Sequence, residues 1–477
     1  MEAQSVRYPR TMMKAMHTAL GAALSFAVVV PGVLAQEERA PPPKYQFLRQ
    51  NEDWSSFRAK EGDWLARFKH LDLTDDGSVW LSMGGRVEAR FESWDGFGFG
   101  AQPSNQDSFT VSRALVHADV HFGDRARFFV EGKTAQATDR NLPGGRRASD
   151  MDTLEAQQVF ADYMVPLGDG QTLRVRAGRM MLLYGKQRLV SPLPWANVLR
   201  SWDGVSVQLR TGRWTIDGFA TQFVPVRKTS RNKRDDDLEL YGVYATRKPA
   251  DGGYGYDVFF LGNTRPSLTI NGTTGKERRH TIGARTWGPL GDNFDGEFEG
   301  AYQFGEVGSN SVTAWTVTGV LGHTVADWKW SPRFFVGVDA ASGDSRAGGS
   351  VGTFHQIFPL GHAYLGWADI IARQNVFAVH VGGTWKLSKT TTAKLVGHAF
   401  RLQSGNDALY GVSGAVSRTG LGSKDVAQEV DLLVSHHVCE HLDVYGGYSH
   451  VFGGGGLAAS GPSGDISFFY LGSSFVF

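Results

Sequence analysis

The chain has a single cysteine, Cys439, in 477 residues, which excludes an internal disulfide framework and a cysteine-built metal site. Net charge is nearly absent: 49 Lys plus Arg against 48 Asp plus Glu leave +1, so bulk electrostatics predict no nucleic-acid partner. Beyond residue 35, no stretch approaches the roughly 18 consecutive apolar residues that a membrane-spanning helix requires. Glycine never recurs at every third residue, so collagen is excluded. A Gly-x-Ser-x-Gly elbow and a His-Glu-x-x-His helix are both missing. Gly96-Phe97-Gly98-Phe99-Gly100 falls in a long connection and not between a strand and a helix. His436-His437-x-Cys439-x-His441 has metal-ligand residue types, but it crosses a predicted turn where alternation sends neighbours to opposite faces. No enzyme, no metal and no cofactor are expected.

Glycine (60 residues) and aromatics (30 Phe, 14 Tyr, 13 Trp) are abundant instead, a composition suited to strands and turns. The N-terminus stands apart. Arg7, Arg10 and Lys14 precede an apolar stretch from Ala19 to Val30, and Val33-Leu34-Ala35 supplies a small-residue cleavage site. Residues 1–35 therefore read as a secretory signal peptide. Residues 36–77, opened by the proline-rich run to Pro43, read as a periplasmic lead-in.

From residue 78 one pattern takes over. Val79, Leu81, Met83, Gly85, Val87, Ala89 and Phe91 alternate with Trp80, Ser82, Gly84, Arg86, Glu88, Arg90 and Glu92. Soluble strands usually stop at about five or six residues, whereas barrel strands crossing a membrane need ~9–11 or more. Further strands are expected to start near Ser108, Arg125, Thr153, Thr172, Gly204, Trp214, Leu238, Tyr254, His280, Phe294, Val312, Lys329, Gln374, Thr391, Asp425, His441 and Asp465. The total is about 18, an even number as a closed bacterial barrel requires. Tight turns such as Gly123-Asp124 and Thr211–Arg213 alternate with long connections such as Trp94–Asp107, Gly185–Asp203, Arg265–Arg279 and Gly343–Arg373. Residues 78–477 are thus expected to form one transmembrane antiparallel β-barrel of the bacterial outer membrane. The last strand alternates to a terminal Phe477, an ending that the barrel-insertion machinery of Gram-negative bacteria reads.

Several segments resemble the alginate-export family of outer-membrane porins. They are Asn51-Glu52-Asp53-Trp54-Ser55, Phe68–Leu71, Gly84–Arg90, Leu115–Gly123, Ala177-Gly178-Arg179 with Gly185–Val190 and Trp202–Val205, and Phe354–Pro359 with His362 and Tyr364–Gly366. The resemblance implies a monomeric 18-stranded barrel whose basic constriction passes a polyuronate outward.

Alternation assigns the faces. Candidate pore-lining, substrate-binding cations are Arg86, Arg90, Arg113, Arg127, Lys133, Arg174, Arg176, Arg210 and Arg285, with Arg333 and Lys394 also inward. Most precede Gly212, so a basic wall is expected, with the acids Asp295–Glu299 and Glu429–Asp431 on other walls. Guanidinium groups in a narrow lumen pair in turn with carboxylates of a passing chain. Acids on neighbouring strands, such as Glu88 and Glu131, offer the alternative of simple wall pairing. Arg179 falls out of phase with Arg174 and Arg176, so a bulge or a register change is expected there. The Gly343–Arg373 connection, with Ile357, Phe358, Leu360, Tyr364, Leu365 and Trp367, is expected to fold inward as a constriction; the alternative is packing on the rim or on lipopolysaccharide. The expected function is passage of an anionic polysaccharide or oligosaccharide. The alternative is uptake of small anions by a substrate-selective porin on the same scaffold, in contact with outer-membrane lipid in either case.

Overall fold

The computed structural model describes residues 43–59 and 62–477. The expected signal peptide lies outside them.

Period-2 alternation does what it should. Eighteen antiparallel strands follow one another in chain order: β1 (Val79–Asp95), β2 (Asp107–Phe122), β3 (Ala126–Ala137), β4 (Asp152–Gly168), β5 (Gln171–Met180), β6 (Trp202–Thr211), β7 (Trp214–Phe223), β8 (Glu239–Arg247), β9 (Gly255–Ile270), β10 (Thr273–Pro289), β11 (Phe294–Val307), β12 (Asn310–Thr324), β13 (Arg333–Ala341), β14 (Val376–Lys386), β15 (Thr391–Leu402), β16 (Asp425–Cys439), β17 (Leu442–Gly453) and β18 (Ile466–Val476). Each pairs with the next, and β18 returns to β1 from Arg86↔Val476 to Asp95↔Ser467. The sheet has no free edge, so no strand presents an unpaired side to the membrane.

The two faces differ as the alternation requires. Outward positions keep large apolar side chains exposed, including Val116 (56%), Phe298 (55%) and Val381 (61%). Inward neighbours such as Phe129 are fully buried. A continuous exposed apolar belt around a closed sheet is tolerable only against hydrocarbon.

One outer connection differs from expectation. The predicted long connection Arg265–Arg279 is instead the tip of a hairpin, because β9 runs to Ile270 and β10 starts at Thr273, seven positions before His280. Asn271 and Gly272 both take positive φ (39° and 79°), the Asn-Gly geometry that a two-residue hairpin turn favours. Gly308 (φ 59°) closes the next outer turn, from β11 to β12. At Arg179 the ladders to β4 and β6 run without a shift. Arg179 therefore stands on the opposite face from Arg174 and Arg176 and pairs with Asp203 at 2.7 Å. At Gly178 (φ 131°) the backbone lies close against β4, and a Cβ there would strike the Val159 carbonyl.

Residues 45–54 lie inside the end of the barrel where the short turns are. Arg49 pairs with Glu52 at 2.6 Å and donates to the Gly85 carbonyl on β1 (2.7 Å) and to that of Phe477 (3.0 Å). Gln50 bonds Gln158 on β4 at 3.1 Å. Lys69, nearly fully buried, donates to the Met83 carbonyl at 3.0 Å; burial pushes its ammonium down to about 7.

Candidate functional site: the luminal constriction

The barrel is wide enough to need filling, and two loops fill it. The β5–β6 loop (residues 181–201) and the β13–β14 loop (residues 342–375) meet in the lumen, where Ser191 N–H donates to the Phe358 carbonyl and Phe358 N–H to that of Leu189, both at 2.9 Å. Trp195 stacks on His362 with ring centroids 3.6 Å apart. Both loops reach opposite walls. The first is held by Arg90 and Arg113 on β1 and β2 and, through Arg188, by Glu297 (2.5 Å) and Glu299 (2.6 Å) on β11. The second is held by Arg279 (β10), Gln303 (β11), Asp339 (β13) and Glu429 (β16). Gly366 (φ 84°) lies against the Glu429 carboxylate, leaving no room for a Cβ. Phe354, Leu365 and Ile371 are almost wholly buried in the resulting apolar core. The apolar run in this loop thus packs inside the barrel.

Between these loops and the wall from β10 to β15 is a cavity of about 730 Å³. Five cations line it, Lys186, Arg188, Arg285, Arg333 and Lys394, against three acids, Asp295, Glu297 and Asp339. Trp287, Phe335, Tyr364 and Trp367 supply flat apolar faces. Arg285 is committed, pairing with Asp257 at 2.8 Å and lying 3.9 Å over the Trp287 ring. Arg333 bonds Asp295 in bidentate fashion. Lys186 approaches Glu297 only at 3.9 Å and is half exposed. The Lys394 ammonium has no carboxylate partner among the described residues and lies 5.1 Å over the Trp367 ring. An unpaired ammonium beside aromatic faces, as at Lys394, is suited to a hydroxylated or ring-bearing anion.

Of the nine cations expected to line the pore, Arg285 belongs to this cavity. Most of the others are engaged by the protein itself. Arg90 pairs with Glu92 (2.6 Å), donates to the Trp195 carbonyl (2.9 Å) and lies 3.7 Å over the Trp195 ring. Arg113 pairs with Glu88 and donates to the carbonyls of Pro194 (3.0 Å) and Ala196 (2.6 Å). Arg127 and Arg176 share Asp162 at 2.8 and 2.7 Å, and Lys133 meets Asp152 at 3.1 Å. Arg210 is exposed and bonds Gln208 at 2.8 Å. Arg86 reaches only the Gln46 carbonyl at 3.4 Å, and Arg174 has no hydrogen-bond partner among the described residues. Acids interleaved on the same strands therefore neutralise much of the N-terminal wall. Lys186 and Arg188 lie on a loop, where strand alternation gives no direction, and in the sequence only family resemblance singles out their segment, Gly185–Val190.

No cluster of His, Cys, Asp or Glu suited to a metal occurs among the described residues. His437 pairs with Asp443 at 2.8 Å, while His441 bonds the Val476 carbonyl.

A closed 18-stranded barrel with an apolar belt and loops folded into its lumen is the fold of bacterial outer-membrane porins. The same fold is seen in a BenF-like porin from Pseudomonas fluorescens Pf-5 (TM-score 0.56, 11% identity, covering 83% of this chain and 98% of that one). It is seen too in OccAB2 of Acinetobacter baumannii (TM-score 0.54, 9% identity, 83% and 98%) and OpdO of Pseudomonas aeruginosa (TM-score 0.53, 10% identity, 83% and 97%). The alginate export family model matches residues 79–467, and the chain belongs to that family. No curated protein matched the chain.

Proposed function

We propose that this channel passes an anionic saccharide, polymeric or oligomeric, along the β10–β15 wall, and that it catalyses no reaction. The observation that carries this reading is the cavity with five cations to three acids and four aromatic faces. Carboxylates of the substrate pair in turn with Lys186 and Lys394, whose charges the protein leaves least compensated, while the aromatic side chains of the lining give the sugar rings an apolar wall. Several weak sites in series let a chain leave as readily as it enters. Family membership supports the alginate-export type.

A second reading, uptake of small anionic solutes, is favoured by the size of the space. A cavity of about 730 Å³ suits a solute of drug-like size, and a polymer must displace the interlocked loops to pass. Single-channel recording in planar bilayers separates the two. An acidic oligosaccharide longer than the cavity is expected to block the current, and Lys394→Glu to weaken block by on the order of tenfold, equivalent to ~1.4 kcal/mol. Anion selectivity without oligosaccharide block selects small-solute uptake. Neither selectivity nor block overturns both readings.

A further inference from the structure

A second cavity opens on the outside of the barrel. It is a trough of about 730 Å³ across β8 to β11, lined almost wholly by apolar side chains. Strand register explains its shape. Ala245, Val258, Ala284 and Gly300 form one lateral row on the lipid side, and Val243, Phe260, Ile282 and Tyr302 form the row above. Three of the four lower positions are small, so the wall is recessed beneath a bulkier ledge.

The row below is different. Trp214, Arg247, Tyr256 and Thr286 stand side by side at the same height on β7 to β10. This is the periplasmic end, since β8 ends at Arg247 and a short turn follows. The Arg247 guanidinium lies 5.7 Å from the Tyr256 ring centre and forms no ion pair among the described residues. Asp251 in the adjoining turn does not reach it within ion-pair distance. Lys248 and Arg213 are backbone neighbours at the same rim, joined by a 2.9 Å hydrogen bond. An apolar trough ending at an uncompensated cation, at the height of a membrane interface, matches a lipid with an anionic head.

We propose that the trough is a phospholipid site of the periplasmic leaflet. One acyl chain lies over Ala245, Ala284 and Gly300, and the phosphate meets Arg247 between Trp214 and Tyr256. The leaflet selects the ligand: the phospholipid of this membrane is periplasmic, while lipopolysaccharide faces outward.

Native mass spectrometry of the full barrel released from mild detergent tests this. After delipidation, phosphatidylglycerol is expected to rebind in preference to diacylglycerol of the same chains. Arg247→Gln should lower phosphatidylglycerol occupancy about fivefold, the worth of one interfacial cation, and leave diacylglycerol unchanged. Filling the trough with Ala284→Phe plus Gly300→Leu should abolish binding of both, with folding checked by heat-shifted gel migration. Full occupancy in the filled variant overturns the proposal. So does equal binding of the two lipids in the unaltered protein, bound lipopolysaccharide, or a second barrel copy in place of lipid. Should the filled variant fail to fold, the Arg247→Gln comparison decides alone.

Discussion

Arg373→Met isolates what holds the β13–β14 loop in the lumen. Arg373 lies at the end of that loop, 3% exposed, and bonds the Asp339 carboxylate of β13 at 2.5 Å. It also donates to Thr318 at 3.0 Å. Methionine keeps the apolar stem and removes the cation. Asp339, 1% exposed, is then left with the Thr318 hydroxyl (2.7 Å) and His380 at 3.6 Å. Removing one partner of a buried ion pair typically costs about 3–5 kcal/mol, because the remaining charge stays desolvated. The barrel has a cheaper response than unfolding: the loop lifts and water reaches Asp339. A 3 kcal/mol penalty relieved this way shifts the docked-to-open ratio ~100-fold or more. Single-channel recording should show larger mean conductance and added flicker, with heat-shifted gel migration confirming an intact barrel. Arg373→Met combined with Asp339→Leu removes both charges and should return conductance close to the starting level, since an apolar pair carries no such penalty. A single variant with unaltered conductance and noise, or a double variant as open as the single, refutes the latch.

Three other outcomes are expected. Arg49→Ala, which removes a buried guanidinium from the two carbonyls at the β1–β18 seam and from Glu52, should destabilise that end by about 3 kcal/mol and lower the temperature of the heat-shifted migration. Arg113→Leu, which leaves Glu88 unpaired and frees the Pro194 and Ala196 carbonyls, should cost a similar ~3 kcal/mol and make the β5–β6 loop accessible to protease from outside. Asp369, in the docked β13–β14 loop, has its carboxyl pushed up to about 7 by burial, against the attraction of Arg147, Arg200 and Arg90. A raised pKa favours docking below the ordinary carboxylate range, and that advantage is lost as pH rises through about 7. Conductance should therefore increase from pH 5 to pH 8, and Asp369→Asn should flatten the increase; an identical pH profile in that variant excludes Asp369 as the cause.

The wall of the barrel was legible residue by residue, because side-chain alternation is a local property of an extended chain and survives without knowledge of any partner. Strand length, the even count and inward placement of Arg285, Arg333 and Lys394 all followed from it. Legibility failed at the hairpin tip Asn271-Gly272, where polar composition mimics a loop although the ladder continues to the turn. It failed more seriously in the lumen. Lys186 and Arg188 lie on a connection, where no periodicity indicates direction.

The sequence by itself determined one closed sheet, its apolar exterior and which strand residues face inward. Only the tertiary structure decided which inward cations are available. Arg90 and Arg113 are bound to carbonyls of Pro194, Trp195 and Ala196, some 81 to 105 positions along the chain, and nothing local to either arginine announces those partners. Charge in a lumen counts only after neighbouring acids and folded-in loops have been paired off, which depends on contacts between distant segments. Near neutrality of the whole chain was therefore silent on the cavity, where five cations face three acids.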